Sequence, residues 1–302
     1  MIAMTTDGGR GMHSVIHGDC LKVLPALKDE SVDLIVTSPP YNIGKRYERR
    51  VQLQEYLDAQ RTVIEQCVRV LKTTGSVCWQ VGNWVKDFEI VPLDAVLFPI
   101  FRDLGLKCRN RIIWHFEHGL HSSRRLSGRH ETILWFTKSD DYAFTLDSIR
   151  VPQKYPSKRY FKGPRLGQLS GHPLGKNPGD VWIFPNVKHN HPEKTVHPCQ
   201  FPVELVERLV LALTPQAGLV LDPFAGVGTT GVAAALHDRN SVCIELSDEY
   251  CKIAKARIEA AVTGTIRTRP MDRPVYEPNG KGAAAPRVYT GRLLEKPAGY
   301  SA

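Results

Sequence analysis

Residues 203–262 constrain the fold more than any other part of the chain, because two apolar periods alternate there. VELVERLVLAL carries helical spacing, GLVLDPF is a short continuous apolar run, and VGTTGVAAAL is helical again. SVCIEL is a second short run, and DEYCKIAKARIEAA closes the series as an amphipathic helix. Strands separated by helices pair in parallel, since a parallel connection needs a crossover long enough to hold a helix. The expectation is an α/β fold with a mainly parallel sheet. The N-terminal half continues the theme. SVIHG (14–18) reads as a short strand and Cys20 to about Lys28 as a helical stretch. VDLIVTSPPYN is an apolar run that stops at a double proline, the look of a buried parallel strand at its carboxyl end. Tyr56, Leu57, Val63, Ile64, Cys67, Val68 and Leu71 mark an amphipathic helix over 55–72. SVCWQV, RIIWH and TILWFT are further strand candidates.

From Asp140 to about Lys194 this periodicity fades, and proline, glycine, lysine and arginine take over. The division expected is a flexible N-terminus (1–13), one half of the domain (14–139), an insert (140–194), the second half (195–263) and a flexible or extended tail (264–302). No apolar run approaches the roughly 20 residues that span a bilayer. MIAMTTDGGRGMHS lacks the apolar core of a signal peptide. The seven cysteines form no C-x-x-C pair, and their odd number excludes a complete intramolecular disulfide set. A soluble, cytoplasmic protein is expected.

The strongest local signal is LVLDPFAGVGTTGVAAAL (219–236). A strand ends at Asp222, a loop holds Pro223, Phe224, Gly226 and Gly228, and a helix begins near Thr229 and Thr230. Glycines there let a ligand approach the backbone closely. The next strand ends in Glu245 and Leu246, and Glu245 lies 19 residues beyond Gly226, placed to bind ribose hydroxyls. Gly226, Gly228 and Gly231 stand in G-x-G-x-x-G order, a pattern that dinucleotide enzymes also carry, while the G-K-[ST] of phosphate loops is absent.

The second signal is TSPPYN (37–42). Pro40 has no N–H and holds Pro39 extended, which aims the Pro39 carbonyl outward as an acceptor. The Ser38 hydroxyl is another acceptor, and Tyr41 offers a flat face to a base. Two hydrogen bonds drawn from an exocyclic amino group would localise the nitrogen lone pair that the ring otherwise delocalises. Orientation and electrostatics then carry the displacement, with no covalent enzyme intermediate.

Together and in this order, these segments resemble the amino-methyltransferases of DNA, whose signatures are [DNS]-P-P-[YF] and D-P-F-x-G-x-G-T-T. The order, with TSPPYN first, resembles the circularly permuted beta class. IHGDCLKVL is similar to the family segment with an acid at the cofactor, here Asp19 followed by Cys20. RHETILWFTKS resembles H-E-x-x-L-x-F. HPCQFPVELVERLV resembles H-P-x-Q-K-P, which closes over the cofactor, here with His197 and Gln200. The family's lysine in that segment is Phe201, which puts its contact to the cofactor carboxylate in question. The resemblance covers about residues 14–260. It implies a Rossmann-like, S-adenosylmethionine-dependent methyltransferase fold, circularly permuted, with a mostly parallel seven-stranded sheet, helices on both faces and an inserted target-recognition region. It also implies S-adenosyl-L-methionine as cofactor, double-stranded DNA as partner, and a flipped target base.

The insert supports the DNA reading. Between Ser148 and Gly179 there is no acid, against Arg150, Lys154, Lys158, Arg159, Lys162, Arg165 and Lys176, with Tyr155, Tyr160 and Phe161 interleaved. Arg124 and Arg125 belong to a second basic run, HSSRRLSGRH, and the chain as a whole carries +9. Such patches suit phosphate contacts and base stacking. His189, His191, His197 and Cys199 match no standard zinc spacing, and no metal is expected. Trp79 and Trp84 are candidates for the wall of the base pocket. The family's S-P-P-Y tip is commoner among N4-cytosine enzymes, while P-P-Y-N points to N6-adenine; the reading leans to cytosine. Adenine, an RNA or protein-glutamine substrate, and a non-catalytic DNA-binding protein on this fold remain alternatives. A cognate restriction endonuclease and a homodimer remain open as partners.

Overall fold

The computed structural model describes residues 4–7, 11–45, 48–119 and 121–271. Eleven strands are β1 (Met4–Asp7), β2 (Met12–His17), β3 (Val32–Thr37), β4 (Leu71–Val81), β5 (Asn83–Lys86), β6 (Glu89–Pro92), β7 (Lys107–His115), β8 (His130–Thr137), β9 (Val181–Ile183), β10 (Leu219–Asp222) and β11 (Asn240–Glu245). The helices are α1 (Cys20–Val23), α2 (Leu53–Val70), α3 (Leu93–Asp103), α4 (Val203–Leu213), α5 (Thr229–Leu236) and α6 (Asp248–Val262).

Nine strands form one sheet in the order β1-β2-β11-β10-β3-β4-β8-β7-β9, and β5 and β6 pair as a separate hairpin. From β2 to β4 all neighbours are parallel; β8 runs antiparallel to both β4 and β7. The expected seven strands are its centre, with two short additions at the edges. β9 comes from the insert and pairs in parallel with β7. β1 pairs antiparallel with β2, Met4 opposite Val15, so residues 4–7 of the segment expected to be flexible are built into the sheet.

Side chains alternate across each strand, and the two faces feed separate apolar cores. Leu34, Val36 and Cys78 join α4, α5 and α6 on one face. Ile35, Val77 and Trp79 join α2 and α3 on the other. Trp79 is fully buried between Phe101 and Phe224, so it is core rather than a wall facing a base.

The tail differs from expectation as well. Residues 264–271 follow α6 back over the protein, where Arg269 pairs with Glu204, both buried, and its backbone N–H donates to Glu193 at 3.0 Å. The remainder of the expected tail, 272–302, lies outside the described residues. No helix among the described residues is long and apolar enough to cross a membrane.

Candidate active site

Because β10 lies beside β3, the two motifs meet at one end of the sheet although 185 residues separate them. The Thr37 hydroxyl donates to Asp222 Oδ1 at 2.6 Å, and Thr230 donates to Oδ2 at 2.6 Å. The Phe224 N–H donates to Oδ1 at 3.1 Å. Asp222 is fully buried, and burial raises its carboxyl to about 6 against the pull of those hydrogen bonds. Asp222 therefore locks the TSPPYN strand to the DPF loop. It does not line the cavity, and neither does Thr230 behind it.

In front of them lies a cavity of about 280 Å³. Of the expected cofactor residues, Asp19, Cys20, His197, Gln200, Pro223, Phe224, Gly226, Thr229, Glu245 and Leu246 line it. Gly228 stands behind the wall as the N-cap of α5. Its φ of 74° and a Cβ position only 2.8 Å from the Ala254 Cβ leave room for glycine alone. Glu245 is held by the Gly226 and Ser247 N–H groups, both at 2.8 Å. Asp19 caps α1 through the Leu21 N–H at 3.0 Å. Burial pushes the Cys20 thiol up to about 12, so it stays protonated.

The HPCQFP segment lies across this cavity. Gln200 is fixed by Thr195 and by the Glu193 carbonyl, both at 2.9 Å, and the His197 ring meets Tyr250 edge-on at 4.8 Å. Burial, with Lys194 and Arg257 nearby, lowers His197 to about 4, leaving it neutral near pH 7. Phe201, at the family's lysine position, is buried in the wall. The lining among the described residues thus holds two carboxylates and no lysine or arginine. Such a cavity is wrong for a diphosphate. It suits a nucleoside that carries a positive charge.

Ser38, Pro39, Pro40 and Tyr41 form the far end of the same cavity. The Pro40 carbonyl accepts from the Tyr56 hydroxyl at 3.0 Å, while among the described residues none donates to the Pro39 carbonyl. The Tyr41 hydroxyl lies 3.0 Å from Ser38 Oγ and donates to Glu131 Oε2 at 3.2 Å. The Gln80 amide donates to the same oxygen of Glu131. Tyr41 also abuts Gly82, where an added Cβ would stand 3.1 Å from the ring. Glu131 and Gln80 are site residues the sequence reading passed over. The available signal was the H-E of RHETILWFTKS, a carboxylate opening an otherwise buried strand.

Asn42 has a different task. Its φ is 59°, it is buried, and its side chain clamps Val51 through two hydrogen bonds of 2.8 Å. Asn42 closes the loop after the motif and is spent on that.

The basic residues lie outside the cavity. Lys154, Lys158, Arg159, Lys162 and Arg165 are exposed, as are Arg124 and Arg125 in the β7–β8 connection. Lys154 sits over the Tyr155 ring at 5.4 Å and Lys162 over Phe161 at 5.4 Å, pairing charge with exposed aromatic faces. Arg150 departs from this group: it bonds to Asp147 at 2.6 Å and to the Gly175 carbonyl at 3.1 Å, and braces the insert.

Known proteins resemble the chain throughout this frame. A family model described as DNA methylase matches residues 32–256. The type II methyltransferase M.BglII of Bacillus subtilis is 53% identical over 244 residues, covering 80% of this chain and 68% of that protein. Among solved structures, the PvuII DNA methyltransferase superposes with a TM-score of 0.66 at 21% identity, covering 84% of this chain and 90% of that one, a likeness of fold. A DNA modification methylase of Thermus thermophilus, solved with S-adenosyl-L-methionine, superposes at 0.56 with 28% identity, over 83% of this chain and 96% of that one.

Proposed function

The chain belongs to the DNA methylase family of N6- and N4-amino methyltransferases, and from that membership we propose that it methylates the N4 amino group of cytosine in double-stranded DNA. The cofactor is S-adenosyl-L-methionine. When bound, it supplies an electrophilic methyl group on a positively charged sulfur. Asp19 and Glu245 bring negative charge to its cavity, Gly226 and Thr229 give it the glycine loop, and His197 and Gln200 cover it. Ser38 and the Pro39 carbonyl then hold the two amino protons of the base, with Pro40 and Tyr41 shaping that end. A base inside a duplex cannot reach Ser38 in this cavity, so it must be flipped out.

Ser38 carries the choice of base. P-P-Y-N is frequent among the family's adenine enzymes, but here the Asn42 amide is engaged on Val51 by both its nitrogen and its oxygen. What remains at the tip is Ser38, and a serine there is commoner among the family's cytosine enzymes. The proposed DNA contacts are Arg124, Arg125, Lys154, Lys158, Arg159, Lys162 and Arg165. A cytoplasmic setting, a cognate restriction endonuclease and a second copy of the chain fit the same reading. The test is incubation with unmethylated genomic DNA and S-adenosylmethionine, then nucleoside digestion and mass spectrometry. N4-methylcytosine is expected; N6-methyladenine would overturn the choice of base and keep the family.

A further inference from the structure

Ser38, Tyr41 and Glu131 form a hydrogen-bonded chain that starts in the cofactor-side cavity and ends elsewhere. Glu131 lines a second cavity of about 170 Å³, together with Gly82, Asn83, Asp94, Arg111 and His130, and the two cavities share no residue. A chain of exchangeable protons between two separate cavities has a direction, and the bonds here fix it. Ionised glutamate can only accept. Burial holds the Tyr41 phenol well above its ordinary range, so it keeps its proton and donates it to Glu131 at 3.2 Å. A phenol has one proton. The 3.0 Å bond between Ser38 and Tyr41 must therefore be donated by Ser38. With its own proton turned inward, Ser38 shows the cavity only lone pairs. It is an acceptor there, the polarity an amino group requires.

We propose that Glu131 is the positioning residue that sets this polarity and, through Tyr41 and Ser38, the terminal acceptor of the proton released when the base nitrogen is methylated. This rests on the reading of Ser38 as the residue that meets the amino group. The bond from nitrogen to the methyl carbon forms as the methyl–sulfur bond breaks, and that bond's electron pair stays on sulfur. The nitrogen, now with four bonds and positive, gives a proton to Ser38 Oγ. Ser38 passes its own proton to the Tyr41 oxygen, and Tyr41 passes its proton to the Glu131 carboxylate. The base ends neutral and Glu131 protonated, and Glu131 then discharges into the second cavity, away from the cofactor. Burial raises the Glu131 carboxyl above its ordinary range, against the Tyr41 and Gln80 hydrogen bonds and the Lys188 charge, which suits a proton acceptor. His130 and the Asp94–Arg111 ion pair are the charged and titratable groups facing it across the second cavity.

The test is the pH profile of single-turnover methyl transfer to a DNA duplex for the wild type, Glu131→Gln, Glu131→Asp and Tyr41→Phe. The wild-type rate should fall toward acid as Glu131 protonates. Glu131→Gln and Tyr41→Phe should each be about 100-fold slower and lose that acid limb, the size expected for a lost general base. Glu131→Asp should regain part of the rate and the limb, and cofactor and duplex affinities should stay within about threefold in all four. A readout independent of turnover is the titration of Glu131 by NMR of protein labelled with 13C-glutamate. Its resonance is the one absent from Glu131→Gln, and its midpoint should rise in Tyr41→Phe, where the carboxylate loses a donor. An acid limb retained in Glu131→Gln, an unmoved midpoint in Tyr41→Phe, or loss of cofactor binding that Glu131→Asp leaves unrepaired would each overturn the proposal. The identity of the wild-type product tests the choice of base separately: the relay stands with cytosine or adenine and falls with the acid limb.

Discussion

At the scale of single residues, Asp222 shows how a group in a signature motif can matter without touching a ligand. It joins the motifs by accepting from Thr37, Thr230 and the Phe224 N–H. Burial raises its carboxyl to about 6, so the native protein holds a proton there that the unfolded chain, at about 3.9, has already released. The resulting stabilisation is full below about pH 4 and is lost as pH rises through about 6, at most about 3 kcal/mol for a shift of two units. Asp222→Asn keeps the shape and removes the titration. Its Oδ1 can still accept from Thr37, and the Thr230 hydroxyl has the Val36 carbonyl 3.4 Å away as an alternative. Thermal melting of the cofactor-free protein should show the variant gaining on the wild type between pH 4 and 7. A constant difference across that range would show that Asp222 titrates in the folded protein as it does in the open chain.

The elements tell a different story about the C-terminal stretch, where local pattern misled. Residues 264–271 carry no period, and arginines at such spacing read as a solvated tail. The anchor lies on another element: Glu204, inward on α4, is fully buried and needs a cation. Arg269 supplies it, while Glu193 accepts from the Val203 and Arg269 N–H groups and ties the entry of α4 to the same stretch. Burial pushes the Glu204 carboxyl up to about 8 against the pull of Arg269, so Arg269→Ala leaves it buried, protonated near pH 7 and without its partner, and should cost about 1–3 kcal/mol in urea unfolding. Glu204→Gln combined with Arg269→Ala should match the stability of Arg269→Ala near pH 7 and exceed it at alkaline pH, where the lone buried carboxyl would have to ionise. A flexible tail would give no change in either variant.

For the whole molecule, what the sequence revealed follows from the range of its signals. Strand and helix periods are local, so the α/β sheet and both motif tips could be read from LVLDPF, SVCIEL and TSPPYN. The edge strands β1 and β9 are only four and three residues long, too short for a period, and their pairing is set by neighbours. Glu131 and Gln80 reach the site through antiparallel pairing of β4 with β8, a contact between segments about 50 residues apart that no local pattern announces. Charge was legible in amount, and its segregation appears only in the fold. Among the described residues the cavity lining has two carboxylates and no lysine or arginine, while the sequence Ser148–Gly179 has seven cations and no acid. A cationic cofactor and a polyanion are thereby drawn to different surfaces. If the insert holds phosphates, each lost contact should lower the slope of log affinity against log salt by about 0.9. Lys158→Ala with Arg159→Ala should then reduce that slope by up to about 1.8 and weaken duplex binding most at low salt. Arg150→Ala provides the contrast within the same segment, because Arg150 is already paired with Asp147 and the Gly175 carbonyl. It should leave the slope unchanged. Fluorescence anisotropy of a labelled duplex across a salt series separates the two, and equal slopes for the wild type and the double variant would remove the insert from the DNA-contacting surface.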